Sequence, residues 1–289
     1  MTRQILVHYH LFKNAGTTVN RILEDHFGAR LASVEGELPW GTLSTEQIAS
    51  FVRANPQVDA ITSHHARLPI PQAPGLEFLP VVFIRHPIDR VESVYWFERK
   101  QSPDSLSPSV SIARERGLKG FVEWGLSDEG TAVFRNFQTI HLASRQTDMR
   151  FAQANRVDLN IACARLWELP FVGLVERFTY SVQRLQKLWK HRSGQEMRID
   201  TTPLNRSEER QGSLAARLPA SEINWVMRCT SACWRKTPST LNSTTVPSWR
   251  PRCRRRCWMP RIAPRDNEAL APDALRALSL RGAGRFRDR

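Results

Sequence analysis

The chain has 289 residues, of which 41% are hydrophobic and 24% charged, and its formal charge is +14. That length accommodates one large α/β domain with a substantial core, and no run of about 18 apolar residues marks a helix that would cross a membrane. The charge is unevenly placed: residues 229–289 hold 14 of the 42 basic and 4 of the 28 acidic residues, a net +10, which leaves the preceding body at only +4. Four of the five cysteines (Cys229, Cys233, Cys253 and Cys257) share that segment, so no disulfide framework is expected to hold the body together.

In chain order, Gln4 to Tyr9 is an apolar run rich in β-formers and reads as a strand. It starts so close to Met1 that a secretion signal has no room, which gives a cytoplasmic expectation. A polar loop with Gly16 follows, then Val19, Ile22, Leu23 and Phe27 at helical spacing, with Gly28 placed to end the helix. Thr45 to Arg53 predicts a second helix, capped by Ser44 with Gln47 and stopped by Asn55-Pro56. Asp59 to Ser63 and Leu79 to Ile84 predict strands, the latter apolar throughout, as a strand buried on both faces would be. Beyond Pro87 a helix carries Val91, Val94 and Tyr95, and the Ser/Pro-rich stretch Gln101 to Ser111 reads as a mobile surface loop. Leu118 to Trp124 and Ala132 to Ser144 predict helices, Phe171 to Val175 a last strand, and Val182 to Trp189 the helix after it. This alternation predicts an α/β fold, a P-loop-like parallel sheet with helices on both faces.

In such sheets ligands bind beyond the carboxyl ends of the strands, so the polar residues there are the candidates for chemistry. After the first strand come Lys13, Asn14, Ala15, Gly16, Thr17 and Thr18. A loop entering a helix N-terminus offers free backbone N–H groups and a favourable dipole to an anion, and glycine permits close approach. Gly-Lys-Ser/Thr is missing and the lysine precedes the glycine, which departs from an ordinary nucleotide-binding P-loop. Arg85 closes the Leu79 to Ile84 strand and Ser93 lies on the next helix, a second candidate anion site, while Arg90 reads as a structural partner of Asp89 or Glu92.

Lys13-Asn14-Ala15-Gly16-Thr17-Thr18 after a strand resembles the 5'-phosphosulfate loop of sulfotransferases, and the spaced Arg85, Pro87, Arg90, Ser93 and Tyr95 resemble their 3'-phosphate motif. The likeness is to the carbohydrate group that includes heparan sulfate 2-O- and 6-O-sulfotransferases and their bacterial relatives. It extends through Ile61-Thr62-Ser63-His64, Asn136-Phe137-Gln138-Thr139, Val172 to Phe178 and Leu204-Asn205-Arg206-Ser207, from about residue 4 to about 228. Phe12 stands where the family has proline, Asn14 where it has threonine, and Ser63 where glycine often precedes the histidine. The resemblance implies a transfer of sulfonate from 3'-phosphoadenosine 5'-phosphosulfate (PAPS) to a hydroxyl of a carbohydrate-type acceptor, without a metal. It further implies that Lys13 stabilises the leaving group and that Arg85 and Ser93 hold the 3'-phosphate. Thr202, Asn205 and Arg206 would add donor contacts, and Asn136 and Gln138 would line the acceptor cleft. The base that deprotonates the acceptor is His64 or its neighbour His65, an imidazole being largely neutral near pH 7.

Two other readings compete. A nucleotide kinase or other P-loop NTPase would share the fold, and a nucleic-acid-binding protein would use the basic tail with Trp234, Trp249 and Trp258 among its arginines. The tail has a simpler reading. From about residue 229 it turns to Arg, Cys, Trp, Pro, Ser and Thr without period, as a shifted reading frame would produce, and it is expected to be disordered. The two Cys-x3-Cys pairs there, without a histidine, make a poor zinc pattern. The sulfotransferase-like domain is thus expected to span residues 1–228.

Overall fold

The computed structural model describes residues 2–199 apart from 106, 128, 131, 132, 150 and 151. Thr202, Asn205, Arg206, the boundary at 228 and the basic segment from 229 lie outside the described residues. Five parallel strands form one sheet: β1 (Arg3–Tyr9), β2 (Leu31–Ser33), β3 (Ala60–Ser63), β4 (Leu76–Ile84) and β5 (Val172–Leu174), in the order β2-β3-β1-β4-β5. The central strand β1 pairs with β3 from Leu6 opposite Ala60 to Tyr9 opposite Ser63, and with β4 from Arg3 opposite Leu76 to Tyr9 opposite Val82. β1 leaves the sheet through α1 (Gly16–Phe27) towards β2 on one side, whereas β4 leads on to β5 on the other. The neighbours β1 and β4 therefore diverge at their carboxyl ends, and the crevice between them is the topological switch point of the sheet.

Both faces of β1 are buried, so alternate residues enter two different cores. Ile5, Val7 and Tyr9 pack with α2 (Thr45–Ala54), through Ile48 and Val52, and with Phe137, Leu142 and Ala143 of α6 (Phe137–Ala143). Leu6 packs with Val19, Ile22 and Leu23 of α1 and with Val182, Leu185 and Trp189 of α8 (Phe178–Ser193). A third cluster joins Val94 and Tyr95 of α3 (Pro87–Arg99), Ala113 of α4 (Pro108–Glu115), and Phe121 and Trp124 of α5 (Gly117–Leu126). Burying a core side chain of this size contributes about 1.5–3 kcal/mol each, which is what fixes the strand order. The architecture is the expected α/β class. Among the described residues no helix is long and apolar enough to cross a membrane.

Local signals act as their chemistry dictates. Ser44 Oγ accepts the Gln47 N–H and Gln47 Oε1 accepts the Ser44 N–H, closing the capping box of α2. Gly28, at φ 53°, ends α1 with its N–H on the Glu24 carbonyl.

Two expectations need correction. The stretch 101–111 is not loop throughout, because α4 starts at Pro108, whose missing N–H costs nothing in a first turn. The helix expected from Ala132 begins only at Phe137. Asn136 is left-handed (φ 52°), and a right-handed helix cannot propagate through it. Arg90 donates to the carbonyls of Val133 and, at 3.1 Å, Phe134, and its guanidinium sits 4.8 Å from the Phe137 ring centre. It is a buried strut between α3 and the segment before α6. Strand β2 and helix α7 (Arg156–Glu168) were not anticipated.

Candidate functional site

The loop after β1 is held in an unusual shape. Lys13 and Ala15 both adopt left-handed backbone, at φ 64° and 62°, and Gly16 opens α1. This shape places the start of α1 at the carboxyl end of β1, with the Ala15 carbonyl already accepting the Thr18 and Val19 N–H groups, both at 3.1 Å. Non-glycine residues in this region cost on the order of 1–3 kcal/mol each and persist only where the surroundings over-determine them. Here those surroundings are identifiable. Asn14 is buried, and its Nδ2 donates to the Phe83 carbonyl of β4 and to Gln138 Oε1 of α6, both at 2.8 Å. Arg85 then donates from Nη1 to the Lys13 carbonyl at 2.9 Å. Gln138 closes the circuit: its Oε1 accepts the Arg85 N–H and its Nε2 donates to the Arg85 carbonyl, each at 2.8 Å. The two loops singled out in the sequence are thus joined directly, across 72 residues of chain. Gln138 serves as a strut between them. Asn14, the departure from threonine, supplies the amide that makes this link.

Lys13, Arg85 and Lys100 share this region with the carboxylates of Glu98, Glu176, Asp89 and Glu92. Burial lowers the pKa of the Lys13 ammonium, and the positive charges of Arg85 and Lys100 lower it further, against an opposing pull from Glu98. Its Nζ lies 4.6 Å from the Phe97 ring centre on α3, and Phe12, the departure from proline, packs edge-on against the same ring at 5.2 Å. Arg85 is likewise lowered by burial, and its Nε finds no partner among the described residues. Ser93 is half-buried on α3, the helix into which Arg85 leads, and Thr17 and Thr18 occupy the first turn of α1.

Beside this crevice, the carboxyl end of β3 carries His64 and His65, and the geometry distinguishes them. His65 has both ring nitrogens engaged: Nδ1 accepts the Gly36 N–H at 2.7 Å and Nε2 donates to the Pro39 carbonyl at 3.1 Å, with 12% of the side chain exposed. It pins the 34–41 loop. His64 is 48% exposed and uses only Nδ1, 2.9 Å from Glu35 Oε1. Ser63, the departure from glycine, organises the turn beneath them, since its Oγ accepts the N–H groups of His65 and Ala66 at 3.0 and 2.9 Å.

Sequence reasoning missed Glu35, His10, Arg67 and His141. Glu35 also accepts the His64 and His65 N–H groups; burial pushes its carboxyl up, but the bonds from His64 outweigh this and its pKa is lowered overall. His10 stacks on His64 at 3.9 Å between ring centres, with His8 behind it at 5.2 Å. Burial drives His10 down to about 2 and His8 to about 4, so both are neutral near pH 7. A Cβ at Gly16 would lie 1.7 Å from His10 Nε2, so the glycine is required by the histidine ring as much as by any ligand. Arg67, buried, donates to the His64 carbonyl at 2.7 Å and to His141 Nε2 at 2.9 Å, fixing the turn from below. Glu35 lies two residues beyond the end of β2, so the carboxyl-end rule would have marked it had that three-residue strand been recognised.

Two hollows, of about 530 and 490 Å³, lie elsewhere: one is lined by Ile70 to Pro74 and Leu76 to Phe78 at the start of β4, the other by Thr179, Gln183, Gln186 and residues 196–199. Neither includes a residue of the crevice, where the converging polar groups are.

Fold and crevice define a P-loop-like α/β protein with a cationic strand-to-helix loop at its switch point. No protein-family model matches the chain. It is 37% identical over 191 residues, 65% of this chain and 74% of the other, to a protein of Archaeoglobus fulgidus described as an uncharacterized protein. The two belong to one family. That description assigns no activity, so function must be argued from the site.

Proposed function

We propose that the protein is a sulfotransferase that moves a sulfonate group from PAPS to a hydroxyl of a carbohydrate-type acceptor. The observation that carries this reading is the bond from Arg85 to the Lys13 carbonyl, which joins two anion-type loops at the switch point, next to an exposed imidazole, His64. The positive charges of Arg85 and Lys100 disfavour the Lys13 ammonium, and the buried Nε of Arg85 has no partner among the described residues. A doubly anionic ligand would relieve both. The chemistry then follows from charge. The acceptor oxygen attacks sulfur as the bond to the bridging oxygen breaks, and adenosine 3',5'-bisphosphate departs with the electron pair. Lys13 and the N-terminus of α1 stabilise the charge growing on the leaving oxygen, a task of electrostatics and positioning like that in phosphoryl transfer. Nε2 of His64 takes the acceptor proton. Arg85 and Ser93 hold the 3'-phosphate.

Adenosine 3',5'-bisphosphate should raise the melting temperature in the absence of magnesium, and labelled PAPS should pass its sulfonate to a sugar in an acceptor panel. Lys13→Ala should abolish turnover while retaining part of the donor affinity, and Arg85→Ala should chiefly weaken donor binding. Stabilisation by Mg-ATP alone would replace this reading with the nucleotide kinase, and exclusive transfer to a phenol or steroid would remove the carbohydrate acceptor.

A further inference from the structure

Glu35 and His64 come from different strand ends, β2 and β3, yet they form the closest acid–imidazole pair among the described residues, Nδ1 to Oε1 at 2.9 Å. A carboxylate cannot donate, so Nδ1 of His64 carries the hydrogen, and in the neutral ring its Nε2 then presents a lone pair. The ring is also fixed in angle, because His10 stacks on it at 3.9 Å with planes 28° apart, and His10 is itself backed by His8. His8 is anchored through Nδ1 to Asn20 Oδ1 at 2.9 Å. Glu35 is anchored in turn by the His64 and His65 N–H groups at 3.0–3.2 Å and by Ser63 Oγ at 3.4 Å.

We infer that Glu35 is a positioning residue that holds His64 as the Nδ1–H tautomer, with Nε2 free to accept the proton of the acceptor hydroxyl. During transfer the proton moves from the acceptor oxygen to Nε2, Nδ1 keeps its hydrogen, and the Glu35 carboxylate stays ionised beside the imidazolium. No proton reaches Glu35. This role rests on the sulfotransferase reading, whereas the tautomer does not depend on it.

The test therefore has two arms. In ¹⁵N NMR spectra of the free protein, the His64 side chain should show the Nδ1–H form as its main neutral tautomer, and Glu35→Ala should return it towards the Nε2–H form favoured by free histidine. In transfer assays, Glu35→Gln, which keeps an oxygen for the backbone N–H groups but removes the charge, should lower kcat on the order of 10- to 100-fold, part of the 10²–10⁴ a positioned base supplies, with donor KM unchanged. Glu35→Asp should recover part of that loss. An Nε2–H tautomer in the wild type, or a kcat that Glu35→Gln leaves intact, overturns the inference. Should Glu35→Ala fail to fold, the wild-type tautomer and the Gln variant still decide. A wild type with the Nδ1–H tautomer but no reaction with PAPS would count against the sulfotransferase reading and leave the pairing standing.

Discussion

Gly16→Ala isolates the contact between the anion-type loop and the histidine stack. A Cβ at this position would fall 1.7 Å from Nε2 and 1.8 Å from Cδ2 of His10, where ordinary contact begins near 3.4 Å. The His10 ring must retreat by well over an ångström, and it is sandwiched between His8 and His64. Forcing a methyl into such packing costs about 1–3 kcal/mol, and a displacement this large belongs at the upper end. Replacing glycine by alanine in a helix returns up to about 1 kcal/mol. The net expectation is a loss of about 1–2 kcal/mol, or a Tm lowered by about 2–8 °C for a domain of this size. The diagnostic measurement is a double-mutant cycle by urea unfolding. In a His10→Ala background the clash partner is gone, so Gly16→Ala should be neutral or slightly stabilising, giving a coupling of about 2–3 kcal/mol. Equal destabilisation in both backgrounds would show that the glycine is needed for its backbone, not for the ring, and would refute the reasoning.

Two further outcomes follow from the same geometry. Gln138→Leu removes the bonds to Asn14 and Arg85 at once, so stability should fall by about 1–3 kcal/mol and affinity for adenosine 3',5'-bisphosphate should drop, as calorimetric titration would show; unaltered affinity would mean the two loops keep their places without it. His8 is held to about 4 by burial, below its ordinary 6.5, so unfolding between those values requires proton uptake and stability should decline as the pH drops from 6.5 towards 4. The full interval is worth about 3 kcal/mol. Urea unfolding of His8→Gln as a function of pH should show a shallower slope across that window, and an unchanged slope would contradict the assignment.

What the sequence reveals depends on how local the governing interaction is. The capping box of α2, the Gly28 stop and the apolar run of β4 are set by neighbours in the chain, and each is read correctly from composition and spacing. Helix α7 was missed because its apolar residues do not gather on one stripe: Val157 and Trp167 are exposed while Ala162 is buried, so no period stands out. Strand β2 has three residues, two of them half-buried, too few for an alternation to register. The candidate residues were legible as residue types at strand ends, yet the different hydrogen bonding of His64 and His65 was not. It is decided by a glycine N–H and a proline carbonyl 29 and 26 residues away, which no local pattern announces.

The circuit through Asn14, Arg85 and Gln138 also has a consequence for biosynthesis. The left-handed turns at Lys13 and Ala15 leave the ribosome well before their strut, because the amide that secures them pairs with a side chain 124 positions later. At a synthesis rate of about 5–20 residues per second, roughly 6–25 s separate the appearance of the loop from that of its strut. Parallel pairing of β1 with β3 and β4 must also wait for loop closure over long separations, which makes such sheets slow to form. Until α6 has docked, the strained loop lacks the Gln138 bonds and keeps only those to Phe83 and Arg85, so nascent chains should relax it towards ordinary backbone. The shape of this loop is thus a late readout of completed assembly, and a chain that misplaces α6 would lose it even with its first strand and helix in place.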